Sequence, residues 1–194
     1  GPDGVKLLAG GSWLVEMMNI DSAARYQLIR NVDTIADKTD ILITDAPAGA
    51  SDSALAFVAA SQRVVVVVVA EPTSFMDAYA VIKAAHFEHK LQNFSIVINM
   101  AKDGVEALKS FEKFRDIAMR FLDVNLTFVG HVPFSAPMRQ SVVQRKPLLA
   151  TNSNTPEKEL LAFKSLSQKI LKCPMNTYDG IRFFGNNSVL KETV

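Results

Sequence analysis

Six consecutive valines, Val64 to Val69, run into Ala70-Glu71-Pro72-Thr73-Ser74, and this stretch decides the fold. A strand with one solvated face alternates polar and apolar residues; this one does not, and an unbroken β-branched run reads as a strand buried on both faces of a parallel sheet. It is expected at the centre. Four other short apolar runs, residues 5–9, 41–45, 94–99 and 126–132, end in Gly, Pro, Asp or Asn and read as further strands.

Helical spacing fills the gaps. Residues 22–37 place Leu28, Ile29, Val32, Ile35 and Ala36 on one stripe behind a capping Asp21. A Ser74-x-x-Asp77 capping box opens a helix to His89, and residues 105–122 align Leu108, Phe111, Phe114, Ala118 and Phe121 as a buried face. Thr155 as N-cap and Pro156 as first residue start a helix to about Lys172 through Leu160, Leu161, Phe163, Leu166 and Ile170. Strand and helix alternate, so the expected fold class is α/β: a doubly wound, mostly parallel sheet with helices on both faces and ligands at the carboxyl ends of its strands.

Composition bounds the function. The 194 residues suit one domain; we assign residues 1–173 to it and 174–194 to a C-terminal tail. At 48% hydrophobic and 21% charged the chain is globular, and a net charge of +1 supplies no field for collecting nucleic acid, so no direct nucleic-acid binding is expected. The single Cys173 forms no internal disulfide or thiolate cluster, which fits a cytoplasmic location. The longest apolar run, residues 64–70, is far below the ~20 residues of a membrane span.

Asp45-Ala46-Pro47-Ala48-Gly49 sets a carboxylate at the end of an apolar run and follows it with a tight turn. Such an acid binds Mg²⁺ or its water, and a glycine there lets a backbone N–H approach a terminal phosphate. From spacing alone, a capped strand-to-helix turn explains the loop equally well.

Together with Ile41-Leu42-Ile43-Thr44 before that loop, the Glu71 to Ser74 turn, Asp77 to Lys83, Ile98-Asn99-Met100, Gly130 to Phe134, Met138-Arg139-Gln140 and Arg145-Lys146-Pro147, the chain resembles the MinD/ParA superfamily, nearest its flagellar-number-regulating, FlhG-type branch. The resemblance covers roughly residues 1–171. It implies a P-loop NTPase-like fold, ATP and Mg²⁺ as cofactors, an ATP-controlled homodimer, and attachment at the inner face of the cell membrane. Implied partners are an FlhF-type GTPase, flagellar switch-ring proteins and a flagellar transcription activator. It also implies roles: Asp45 at the metal and, with Gly49, in the catalytic switch loop; Asn99 reading the adenine edge; Pro133 and Phe134 lining the base; Glu71 at the dimer interface. Without the resemblance, Asn99 is a strand-end turn residue and Glu71 a solvated charge.

The departure from that pattern is the phosphate loop. Active members carry Gly-Lys-Gly-Gly-x-Gly-Lys-Thr, whose amides and lysines bind the phosphates, whereas this sequence contains no Gly-Lys dipeptide, and Gly10-Gly11-Ser12 is no substitute. The chain as it stands is therefore expected to be a fragment lacking the P-loop strand and helix, unable to hydrolyse ATP. Two alternatives stand beside the flagellar reading: an interaction module that has lost the nucleotide, and a relative serving chromosome partition, division-site placement or cellulose export. His86 and His89 lack a third ligand of metal spacing and are expected to face solvent, and Ser51 and Ser53 lack triad partners. Gly180-Ile181-Arg182-Phe183-Phe184 resembles the start of a membrane-touching helix, interrupted by Gly185-Asn186-Asn187, and is read as a mobile tail or a docking strip.

Overall fold

The computed structural model describes residues 4–8, 22–149, 155–177 and 179–185. Its elements are α1 (Ser22–Val32), a 3-10 turn (Asp33–Lys38), α2 (Asp52–Ala60), β1 (Val64–Val69), α3 (Pro72–His89), β2 (Asn93–Ala101), α4 (Gly104–Ala118), β3 (Asn125–Pro133), α5 (Ala136–Gln144) and α6 (Glu157–Ile170). The three strands form a parallel sheet in the order β1-β2-β3, with Val64 opposite Phe94, Val69 opposite Asn99, and Ala101 opposite Pro133. Parallel neighbours need crossovers, and α3 and α4 supply them.

Both sheet faces carry helices. On one, Val64 and Val68 of β1 and Phe94, Ile96 and Ile98 of β2 pack with Ile82 and Ala85 of α3 and Phe111 and Phe114 of α4. Full burial of each such side chain is worth ~1.5–3 kcal/mol, so this face holds most of the packing energy. On the other, α6 sets Leu166 against Val97 and Val129, with Cys173 closing the cluster. The α/β architecture with a parallel sheet and helices on both faces is thus as expected.

Several details differ. The valine run is not central among the described residues: β1 pairs with β2 alone, and Val65 and Val67 are exposed because α6 covers β2 and β3 but stops short of β1. The strand buried on both faces is β2. Residues 41–45 form no strand; Leu42 packs beside Ile29 and Phe57, while Ile41 and Ile43 point to solvent with no neighbouring strand to bond among the described residues. Residues 5–8 are likewise exposed and pair with no strand among the described residues, and the expected Asp21 cap and Gly10 to Ser12 lie outside the described residues.

Helix starts shift for identifiable reasons. Pro72, already preset for helical φ, begins α3, and the Ser74 hydroxyl accepts from Val69 N–H at 2.9 Å instead of forming a capping box. Thr155 donates its hydroxyl to the Leu148 carbonyl, so α6 starts at Glu157 behind an uncapped Pro156. The inward arc of α4 is Ala107, Ser110, Phe111, Phe114 and Ala118, which leaves Leu108 about 60° beyond the edge of that arc and exposed; Phe121 follows the helix end and is 70% exposed. His86 is half-buried, its Nδ1 2.9 Å from the Leu91 carbonyl oxygen, rather than facing solvent.

Beyond α6 the chain returns to the domain. Asn176, 4% exposed, accepts from Gln92 and Asn93 N–H and donates to the Asn93 carbonyl; Phe183 donates its N–H to Ala60 and stacks its ring on Phe57. Among the described residues no helix is long and apolar enough to cross a membrane.

Candidate functional site

The carboxyl ends of the strands gather four of the expected site residues. Val69 opposite Asn99 and Ala101 opposite Pro133 put Glu71, Asn99, Pro133 and Phe134 at one edge of the sheet. Parallel sheets bind ligands there because the strand ends diverge and their helices present N-termini.

Asn99 is half-buried, and its Oδ1 accepts from Met100 N–H at 2.9 Å. That bond braces a turn in which Met100 adopts a left-handed φ of 59°, uncommon outside glycine. It leaves the Nδ2 donors and a second carbonyl lone pair of Asn99 for a ligand. Pro133 is buried, and Phe134, held by its N–H to the Ala101 carbonyl at 2.9 Å, turns a 63% exposed ring outward. A half-buried amide and an exposed ring thus stand at the same edge of the sheet.

Asp45 and Gly49 lie in the exposed segment before α2, and no hydrogen bond or ion pair among the described residues joins them to Asn99 or Phe134. Gly49 is exposed and has φ +95°, a left-handed backbone conformation that favours glycine, with open space where a Cβ would stand. The Ser51 hydroxyl accepts from Ala54 N–H and caps α2. Asp45 is exposed, and the sequence contains no Gly-Lys phosphate loop.

Glu71 is the exposed N-cap residue of α3, with its amide donating to Val69 O at 2.7 Å and its side chain making no capping bond. It also stands at the mouth of a groove of about 1130 Å³ between α3 and α4, which reading by periodicity missed because it placed Phe121 in the core and did not single out the lysines of α4. At the head of α4, Asp103 Oδ1 accepts from Glu106 N–H at 2.8 Å while Glu106 Oε2 accepts from Lys102 N–H at 2.6 Å. The bond from Glu106 N–H holds the Asp103 carboxyl below its ordinary pKa against desolvation, the next largest effect, with smaller help from the Val105 amide and the charges of Lys102 and His131. No group of three or more His, Cys, Asp or Glu able to hold a metal occurs among the described residues.

The comparisons with known proteins converge on this architecture. A sequence model of the ParA family, described as NUBPL iron-transfer P-loop NTPase, matches residues 19–171. The chain is 34% identical over 186 residues to the Antiactivator FleN of Pseudomonas aeruginosa, covering 95% of this chain and 66% of that protein. It is 26% identical over 146 residues to the Flagellum site-determining protein YlxH of Helicobacter pylori, covering 75% of this chain and 49% of that protein. It therefore spans about two thirds and one half of their respective lengths. With a parallel sheet, crossover helices on its faces and a family match over most of its length, the chain belongs to the ParA/MinD family of P-loop NTPases.

Proposed function

We propose that this chain is the larger part of an ATP-controlled regulator of flagellar number or placement, in which nucleotide state governs pairing with a second copy. The observation that carries the reading is 34% identity to the Antiactivator FleN over 186 residues, supported by the weaker likeness to a flagellum site-determining protein. In this reading Asn99 and Phe134 hold the adenine, Pro133 shapes the floor beneath it, Asp45 takes the Mg²⁺ and Gly49 presents its amide to the terminal phosphate. The bound nucleotide supplies the free energy of a switch; the chain's own residues orient its base and metal. Glu71 contacts the partner copy, and the wider partners are an FlhF-type GTPase, switch-ring proteins and a flagellar transcription activator, acting at the inner face of the membrane. The lone buried Cys173, its thiol donating to the Lys169 carbonyl, gives this segment no thiolate cluster for an iron cargo.

Two measurements test this. Deleting the gene should change the number or position of flagella counted by electron microscopy, and Asn99→Ala or Phe134→Ala should reproduce the change; normal flagella with missegregated chromosomes would support the partition reading instead. Calorimetric titration of the 194-residue chain with Mg-ATP separates the other rival. The missing Gly-Lys loop favours no heat from this chain alone, and continued silence when the natural upstream residues are included would favour a nucleotide-free interaction module.

A further inference from the structure

The groove between α3 and α4 is built as a docking site, and its chemistry selects the occupant. One wall is α3, presenting Phe75, Met76 and Tyr79; the other is α4, where Val105, Lys109, Lys113 and Ile117 recur every four residues and so lie in one row. Phe121 closes the far end. Met76 is 72% exposed and Phe121 70%, an apolar surface that soluble domains seldom leave bare and contiguous.

Charge separates along the groove. At its head the acids Asp103 and Glu106 are turned onto the backbone amides of Glu106 and Lys102. Farther along, Lys109 and Lys113 make no ion pair with any described residue, whereas Arg115 pairs with Asp116. Two free cations therefore border an apolar trough. From Val105 to Ile117 the row is about 18 Å long at 1.5 Å per residue, the length of roughly three helical turns.

We infer that this groove binds an amphipathic helix of a partner protein whose apolar stripe is flanked by acidic residues. The apolar stripe would fill the trough over Met76, Tyr79 and Ile117, and the acids would meet Lys109 and Lys113. This is the helix-in-groove mode, read by apolar anchors at i, i+3, i+4 and i+7. A lipid surface is flat and would rest on the rims without reaching the recessed Phe75 and Tyr79, so a protein helix fits better. The inference does not depend on nucleotide binding at Asn99 and Phe134.

The test is a display selection with the 194-residue chain as bait and a library of helical peptides randomised at both apolar and flanking positions. Enriched peptides should be amphipathic with acidic flanks, should perturb backbone amide resonances of α3 and α4, and should lose about tenfold or more in affinity for the Lys109→Glu/Lys113→Glu double variant. Both lysines are exposed, so that variant should keep the wild-type circular dichroism and Tm; Lys109→Gln/Lys113→Gln, with a smaller loss, provides a second reading if it does not. Enrichment of basic or non-amphipathic peptides, or binders indifferent to the charge reversal, would overturn the proposal. So would tight, lysine-dependent binding to phosphatidylglycerol vesicles with no peptide enriched, which would reassign the groove to the membrane.

Discussion

Asp103 Oδ1 lies 2.8 Å from the backbone nitrogen of Glu106, closing the first turn of α4 with a charge-assisted bond. Because the ionised carboxylate is the acceptor, Asp103 titrates below its ordinary value in the folded chain. A group whose pKa is depressed by folding contributes stability that is complete above its unfolded pKa, about 4 for aspartate, and is lost as pH falls through the lower folded value. Asp103→Asn should therefore lower Tm at neutral pH and flatten the dependence of Tm on pH below about 4 relative to wild type. Parallel Tm-versus-pH curves for the two proteins would show that the cap carries no net stability.

Asn176 is a buried anchor. It satisfies the N–H groups of Gln92 and Asn93 at the start of β2 through one carbonyl oxygen, at 3.1 and 2.8 Å. Asn176→Ala leaves both donors without an acceptor, an unmet desolvation cost of about 1–3 kcal/mol in urea denaturation. Amide exchange at Gln92 and Asn93 should accelerate with it. Exchange unchanged at these two amides would mean that other acceptors reach them.

Phe183 pins the returning chain: its ring is 6.2 Å from that of Phe57 at an interplanar angle of 7°, and it is 7% exposed. Phe183→Ala should cost about 3–5 kcal/mol by denaturant melting and make the chain after Cys173 sensitive to trypsin at Arg182. Protection of Arg182 in the variant would show that the Asn176 bonds suffice to hold the segment.

What the sequence disclosed follows from what hydrophobic spacing encodes. The strands at Val64, Phe94 and Leu126 and the inward positions of Phe111 and Phe114 were legible because each buries its apolar side against neighbours close in the chain order. The position of the valine run was not, since Val65 and Val67 look the same whether a helix from elsewhere covers them or not. Residues 41–45 carry the pattern of a strand but gain that state only with a partner to share hydrogen bonds. At the candidate site, the sheet-edge positions of Asn99 and Phe134 were legible from the strand ends, while their roles there rest on the resemblance alone. The groove was not, because it exists only where two helices distant in sequence lean together, and Phe121 reads as core until the end of α4 at Ala118 is known.

Gly130 offers a test of local backbone geometry. Its φ is +136°, and a Cβ added there would come within 3.1 Å of Leu166 Cδ2. Gly130→Ala thus meets a side-chain clash and a disfavoured dihedral, together about 1–3 kcal/mol. Adding Leu166→Ala would remove the clash but not the dihedral, so a double-mutant cycle should show partial relief. Complete relief would assign the whole cost to packing.

The open side of β1 gives the last prediction. Six uncharged β-branched residues, with Val65 and Val67 exposed and no strand beyond β1 among the described residues, present a template for pairing with another chain. Val67 is 58% exposed, so a lysine there can keep its ammonium in water while placing charge on the exposed face. Val67→Lys should slow aggregation of the 194-residue chain under constant agitation, read by light scattering, with Tm little changed. Val68→Lys is the contrasting case: at 0% exposure it buries an unpaired charge between β1 and α3 and should prevent folding outright. Equal aggregation rates for wild type and Val67→Lys would move the nucleating surface away from β1, to the exposed Leu160 and Leu161 of α6 as the next apolar pair to vary.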